Sequence, residues 1–386
     1  MAGRVGTVLL FSLLAGPAHA QAPGWTLAAR EAPLAGAQDV LEARWSATRP
    51  PAGAYDRIGL HRYRKEGPRT AVLLYLPGTN MNGFVAVPDE DHNMWIFLAR
   101  RGVEVYALDY RTHAVPAAGS TDFGFMRGWT MEAFVSDIKV AAELARRETG
   151  TSKLFVAGFS RGVSLAYAYA GTEPEAVAGL IALDGSFKSH APKNQSDWNA
   201  DFAKLDASGA FASDVSGRRG WEWRQSLMEA VAKDPGGPAS DAKFASIGEE
   251  LADVLYTSGR PGGLANAKGG LSKPQVLAKL LAGYDRYYPA VQGPDGRSIA
   301  DRDDDPRTPI DDLWGEMKTP ILNFTCTGMG GDWILNSIYS ADKSGSPDVT
   351  LNVLERYGHL DVIVGERARA EVYEPTLAWI TSHSKP

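Results

Sequence analysis

Cysteine is all but missing from this chain. Cys326 is the only one in 386 residues, so no intrachain disulfide can form and stability must come from a buried core. A basic excess is missing too. The 40 Lys and Arg are outnumbered by 46 Asp and Glu, for a net charge of −6, and no basic stripe is available to replace phosphate counterions, which argues against nucleic acid as a partner. Past residue 20 no run approaches the ~20 apolar residues of a bilayer span, so no integral membrane segment is expected in the mature form. No internal repeat is apparent. Aromatic side chains, by contrast, are plentiful, with 10 Trp, 14 Tyr and 13 Phe.

The first residues carry Arg4, then the apolar run Val8 to Leu14, then small residues at Ala18 and Ala20. That order reads as a secretory signal peptide over 1–20, cleaved before Gln21, because the apolar stretch is too short to anchor in a bilayer. A secreted or periplasmic protein is the expectation.

After a polar, Pro- and Ala-rich lead-in to about residue 53, strand-like and helix-like stretches alternate. His61-Arg62-Tyr63-Arg64-Lys65 reads as a solvated strand edge. Ala71 to Leu76 is a continuous apolar run stopped by Pro77-Gly78, the pattern of a strand buried on both faces. Val103 to Leu108 is the next strand. Thr130 can cap a helix in which Met131, Phe134, Val135 and Ile138 share a face. Strands Leu154 to Ala157 and Val177 to Leu183 follow. From about Phe187 to Glu316 the rhythm changes to helical patches (Glu222 to Val231, Lys243 to Tyr256, Pro274 to Tyr284) joined by Gly-, Pro- and Asp-rich segments. Alternation then resumes with strand Pro320 to Thr325, a helix around Trp333 to Ile338, strand Val349 to Leu354 and a closing helix Arg367 to Ile380. This pattern predicts an α/β fold: a mostly parallel sheet covered by helices on both faces. A core over 21–186 and 316–386 is interrupted by a helical cap or lid over 187–315.

Chemistry concentrates at strand ends. Gly158-Phe159-Ser160-Arg161-Gly162 joins a strand to a helix, and flanking glycines there let the chain turn sharply enough to expose a serine hydroxyl. A serine nucleophile needs a base, an acid to orient the base, and donors for an oxyanion. His359, in Tyr357-Gly358-His359-Leu360-Asp361 directly after the last strand, is the candidate base. Asp332, after the glycine-rich segment Thr327 to Gly331, is the preferred acid, with Asp184 at the end of the strand after the elbow as competitor; Asp361 is read as tethering its own loop. Oxyanion donors are the amide of Arg161 and one from the loop Pro77 to Gly83, with Thr79 preferred over Asn80 or Met81. The Arg161 guanidinium could face an acidic group on a substrate, although a salt bridge is the simpler fate. The acidic residues Asp301, Asp303, Asp304 and Asp305 do not match calcium-loop spacing and read as a solvated loop, so no metal is assigned.

Taken together, the Pro-Gly loop at 77–78, the elbow Gly158 to Gly162, the acid loop at Asp332 and Gly358-His359-Leu360-Asp361 resemble the α/β-hydrolase family, in the order Ser, Asp, His. The resemblance implies acyl transfer to water through a serine ester, no cofactor, and a cap between the sixth and seventh strands that shapes the pocket. A small-molecule or lipid-like ester is then the expected substrate, with secreted peptidases on the same scaffold and a non-catalytic binding module as rivals. One departure is that Pro77-Gly78 stands where the family usually has His-Gly.

Overall fold

A computed structural model describes residues 24–118, 122–217, 219–256 and 271–384. The signal peptide expected over 1–20 lies outside them. The chain begins with two long strands, β1 (Trp25–Leu34) and β2 (Ala37–Thr48), where a lead-in was expected, followed by β3 (Arg57–Arg64) and β4 (Ala71–Leu76). Next come α1 (Met94–Ala99), β5 (Val103–Asp109), α2 (Met131–Thr149), β6 (Leu154–Phe159), α3 (Arg161–Thr172) and β7 (Val177–Leu183). The stretch between β7 and β10, where an insertion was expected, holds α4 (Trp198–Ser208), β8 (Ala212–Asp214), α5 (Trp221–Lys233), α6 (Ile247–Tyr256), α7 (Pro274–Ala282), β9 (Tyr287–Pro289) and α8 (Gln292–Asp301). The chain closes with β10 (Ile321–Cys326), α9 (Gly331–Asp342), β11 (Val349–Leu354), α10 (Asp361–Val364) and α11 (Glu374–His383).

Nine strands form one sheet in the order β1-β2-β3-β5-β4-β6-β7-β10-β11. The last six are mutually parallel, while β1, β2 and β3 run antiparallel at one side. Parallel neighbours need crossovers, and those helices cover both faces. The alternation within β4 shows it: Val72, Leu74 and Leu76 join one apolar core with Phe134 and Ile138 of α2, whereas Leu73 and Tyr75 join the other with Phe97 of α1 and Trp379 of α11. Thr130 caps α2 as expected, its hydroxyl accepting the Ala133 amide at 3.2 Å. Among the described residues no helix is long and apolar enough to cross a membrane.

The basic run at 61–65 is not a solvated edge. β3 is sandwiched between β2 and β5, and His61 is buried, with Nδ1 2.7 Å from Glu42 Oε1 and Nε2 2.9 Å from Asp109 Oδ2. Burial alone would depress this imidazole, but the two carboxylates prevail and its pKa is pushed up to about 9.

The insertion contributes to both cores. Leu227, Met228, Leu277 and Leu281 join one, and Phe211, Tyr287, Tyr288 and Ile299 join the other. Its helix α8 escapes sequence reading because Pro294 and Gly296 lower its propensity. Tertiary contacts hold it: the buried Asp295 accepts the Met131 amide and the Trp198 indole, both at 2.7 Å. The acidic run after it spends its carboxylates on protein partners. Asp301 accepts the amides of Lys193, Asn194, Gln195 and Ser196, and Asp303 pairs with Lys188. Among the described residues no cluster of His, Cys, Asp or Glu could hold a metal ion.

Candidate active site at the strand ends

β6 ends at Phe159 and α3 begins at Arg161, leaving Ser160 alone to make the turn. It does so at φ 55° and ψ −118°, a backbone conformation that costs a non-glycine residue ~1–3 kcal/mol and persists only when its surroundings over-determine it. Two glycines are part of that restraint. A Cβ on Gly158 would collide with the carbonyl of Gly162, and one on Gly162 with the carbonyl of Leu76, so both positions require the absence of a side chain. The Ser160 amide donates to Leu183 O at 3.1 Å, tying the elbow to the end of β7.

His359 follows β11 in a loop and is buried at 5% exposure. Its ring lies over Phe159, centroids 4.7 Å apart, and edge-on to Trp333 at 5.2 Å. The loop is braced by Asp361, whose carboxylate accepts the Gly358 amide at 2.7 Å and the Ser272 hydroxyl at 2.5 Å. Burial pushes the Asp361 pKa up, with those donors opposing. Asp361 therefore does tether its own loop, and it also fastens that loop to the insertion.

The partner of His359 is Asp184, not Asp332. Asp184 Oδ2 lies 2.6 Å from His359 Nδ1, while its Oδ1 accepts the Cys326 amide at 2.8 Å and the Trp333 indole at 3.0 Å. The residue is completely buried. Three donors thus satisfy and aim one carboxylate. Asp332 instead sits exposed in the first turn of α9, where a carboxylate complements the helix N-terminus. The physical reason is sheet order. β7 lies between β6, which leads to Ser160, and β10, so its end is inside the constellation, and the glycine-rich turn after β10 carries Asp332 out of it.

With Nδ1 held by Asp184, the other ring nitrogen, Nε2, is left for the serine. Among the described residues neither Ser160 Oγ nor His359 Nε2 has a hydrogen-bond partner, an arrangement that apo sites commonly tighten on binding substrate.

The loop after β4 runs beside the elbow: Gly78 packs against Phe159 and Ser160. Thr79 is exposed within it. The Met81 amide is already spent on Gly78 O at 3.0 Å, which removes it as an oxyanion donor. Asn80 takes a left-handed φ of 63° and directs its side chain to the carbonyls of Asp285 and Arg286 at 2.9 and 3.3 Å. Arg161 carries its amide at the start of α3, and its guanidinium contacts Met131 Sδ at 3.5 Å and packs on Gly296 of α8. It forms no ion pair with any described residue, so the expected salt bridge is not found.

The model of the family described as serine aminopeptidase, S33, matches residues 92–235, a stretch that holds Ser160 and Asp184 and stops short of His359. No curated protein matches the chain. Among solved structures, the chain is similar to a putative lipase from Sulfolobus solfataricus, with 25% identity and a TM-score of 0.73 over 93% of this chain and 99% of that one. A thermostable carboxyl esterase from Bacillus coagulans in complex with glycerol matches at 13% identity and a TM-score of 0.53, over 89% of this chain and 99% of the other. At such identities the likeness is carried by the sheet order and its crossovers more than by any one motif, and on that ground the chain has the α/β-hydrolase fold.

Proposed function

We propose that this protein is a serine hydrolase that cleaves carboxylic esters through an acyl-enzyme. The observation that carries the reading is the 2.6 Å contact between His359 Nδ1 and a fully buried Asp184, beside a serine held at positive φ. In this mechanism His359 Nε2 takes the proton of Ser160 as Oγ attacks the ester carbonyl, and Asp184 stabilises the imidazolium that forms. Amides of Thr79 and Arg161 receive the oxyanion. The alkoxide leaves with the proton from His359, and water activated by the same ring hydrolyses the acyl-serine. No metal or cofactor is required by these steps. Ester preference is supported by the lipase and esterase names of the two similar structures.

The family model named for an aminopeptidase favours a second reading, hydrolysis of amide bonds by the same residues. Parallel assays with p-nitrophenyl esters and aminoacyl p-nitroanilides decide between them. Rapid ester turnover with slow anilide turnover supports the first; the reverse overturns it. Labelling by a fluorophosphonate probe, abolished in Ser160→Ala, is expected under both and would exclude a purely binding role. Export guided by residues 1–20 completes the proposal, and a secreted product beginning at Gln21 is its test.

A further inference from the structure

The turn between α7 and β9 touches the proposed oxyanion loop through an unusual number of polar contacts. Asp285 N donates to Asn80 O at 2.7 Å, and Asn80 Nδ2 returns to Asp285 O at 2.9 Å, a reciprocal backbone and side-chain clasp. Asn82 Nδ2 donates to Gly283 O at 2.9 Å and to Asp285 Oδ1 at 3.0 Å. The Asp285 carboxylate, 9% exposed, also faces His113 Nδ1 at 2.8 Å and the Thr112 hydroxyl at 3.3 Å, both in the turn after β5. Its hydrogen bond raises the His113 pKa to about 9, with burial opposing and Asp109 assisting against His61. His113 is therefore held in its protonated form at neutral pH. On the far side of the loop, Gly83 N donates to Asp109 Oδ1 at 2.8 Å, and Tyr110 OH donates to Pro77 O at 3.1 Å. Residues 77–83 are thus held at both ends by polar contacts from the core, and in the middle by polar contacts from the insertion beside the buried Met81 side chain.

We propose that Asp285 is a positioning residue which locks the oxyanion loop to the inserted helices, so that the seating of the insertion sets the catalytic rate as well as the shape of the pocket. Asn80 and Asn82 closely follow Thr79, whose amide must point at the developing charge, and a displacement on the order of 1 Å in such a donor costs up to about 100-fold in rate. The grip acts on the transition state because the oxyanion forms only there. A cap that merely covered the site would instead change substrate affinity. This inference rests on the serine-hydrolase reading above.

The test measures kcat and KM for p-nitrophenyl acetate, affinity for a trifluoromethyl ketone whose hydrate-like adduct carries the oxyanion, and melting temperature. Wild type, Asp285→Ala, Asp285→Asn, Asn82→Ala and the double variant with Asp285→Ala are compared. Expected are a kcat lower by about 10- to 100-fold in Asp285→Ala, a parallel loss of ketone affinity, and KM within about twofold. Asp285→Asn, which keeps an acceptor for Asn82, should recover most of the rate. Asn82→Ala should lose rate as well, and the double variant little more than the worse single one. An unchanged kcat in a folded Asp285→Ala, a loss confined to KM, or additive losses in the double variant would overturn the proposal. A wild-type protein inert to ester and fluorophosphonate alike would instead overturn the parent reading, and this inference with it.

Discussion

Every residue of β5, β6 and β10 is buried, whereas α4 of the insertion buries none of its 11 residues. β6 ends in the elbow, and the end of β10 gives its Cys326 amide to Asp184; the insertion supplies Tyr287, Tyr288, Trp198 and the Asp285 junction. Close packing on both faces leaves a strand end with one position, which a reacting constellation needs to a few tenths of an ångström. A half-exposed helix is fixed by fewer contacts, and each contact is correspondingly easier to change without unfolding the chain. The proposed chemistry and the insertion thereby fall in parts of the molecule with different tolerance for substitution.

The sharpest way to break this contrast lies in the two aspartates. Asp184→Asn should lower kcat/KM by about 10³- to 10⁴-fold, since the carboxylate fixes the tautomer and supports the imidazolium, while Asp332→Asn should stay within about twofold of wild type. Ester kinetics on both variants check this, and a crippled Asp332→Asn with an active Asp184→Asn would reverse the assignment.

Glycines give the next largest effect. Gly162→Ala forces a methyl into the Leu76 carbonyl and is expected to cost about 3 kcal/mol or more, in the range that overpacking of a rigid core reaches. Gly293→Ala on α8 meets only Arg297 Nη1 at 3.5 Å, and should be neutral or stabilising by up to about 1 kcal/mol. Denaturant melts of the two variants compare core with insertion directly.

A smaller effect is the pH dependence of the β2–β3–β5 cluster. His61 has its pKa raised from 6.5 to about 9, so its contribution to stability is complete below about pH 6.5 and is lost as pH rises through 9. Asp109 and Glu42 have lowered pKa values, burial being outweighed by His61; their contribution is present above the ordinary carboxylate range and is lost as pH falls through the depressed values. A melting-temperature profile should fall between about pH 6.5 and 9, and His61→Gln should flatten that limb. The least effect is expected from Phe202→Ala on α4, where the ring stacks on Trp198 at 4.7 Å and meets Arg127 but is only half-buried. About 1 kcal/mol or less is expected in the same melts.

The elbow at Ser160 and the place of His359 after β11 were legible because their signals are local: glycines that permit the turn, and a histidine directly after a strand. Asp184 was not separable from Asp332 by any local rule. Each follows a strand, and only the lateral order of strands, which one-dimensional reading does not contain, puts β7 beside β6 and turns Asp332 away into α9. β1 and β2 were read as a lead-in because their solvent-facing positions make half of the pattern polar; β1 buries only its ends. His61 was read as exposed since a charge run usually is, and the carboxylates that bury it arrive from β2 and β5, 19 and 48 positions away. The helix α8 is held by Asp295 through distant partners, which no propensity scale records.

Cys326 acquires a use from its position. Its thiol is fully buried, burial pushes its pKa far up, and its own amide holds Asp184. A thiol reagent can react only after the end of β10 separates from the acid, so the alkylation rate under native conditions is a clock for opening of the site, uncontaminated by any second cysteine in the chain. Compared with the rate of global unfolding, that clock would tell whether the contact between Asp184 and His359 comes apart by itself or only when the whole sheet does.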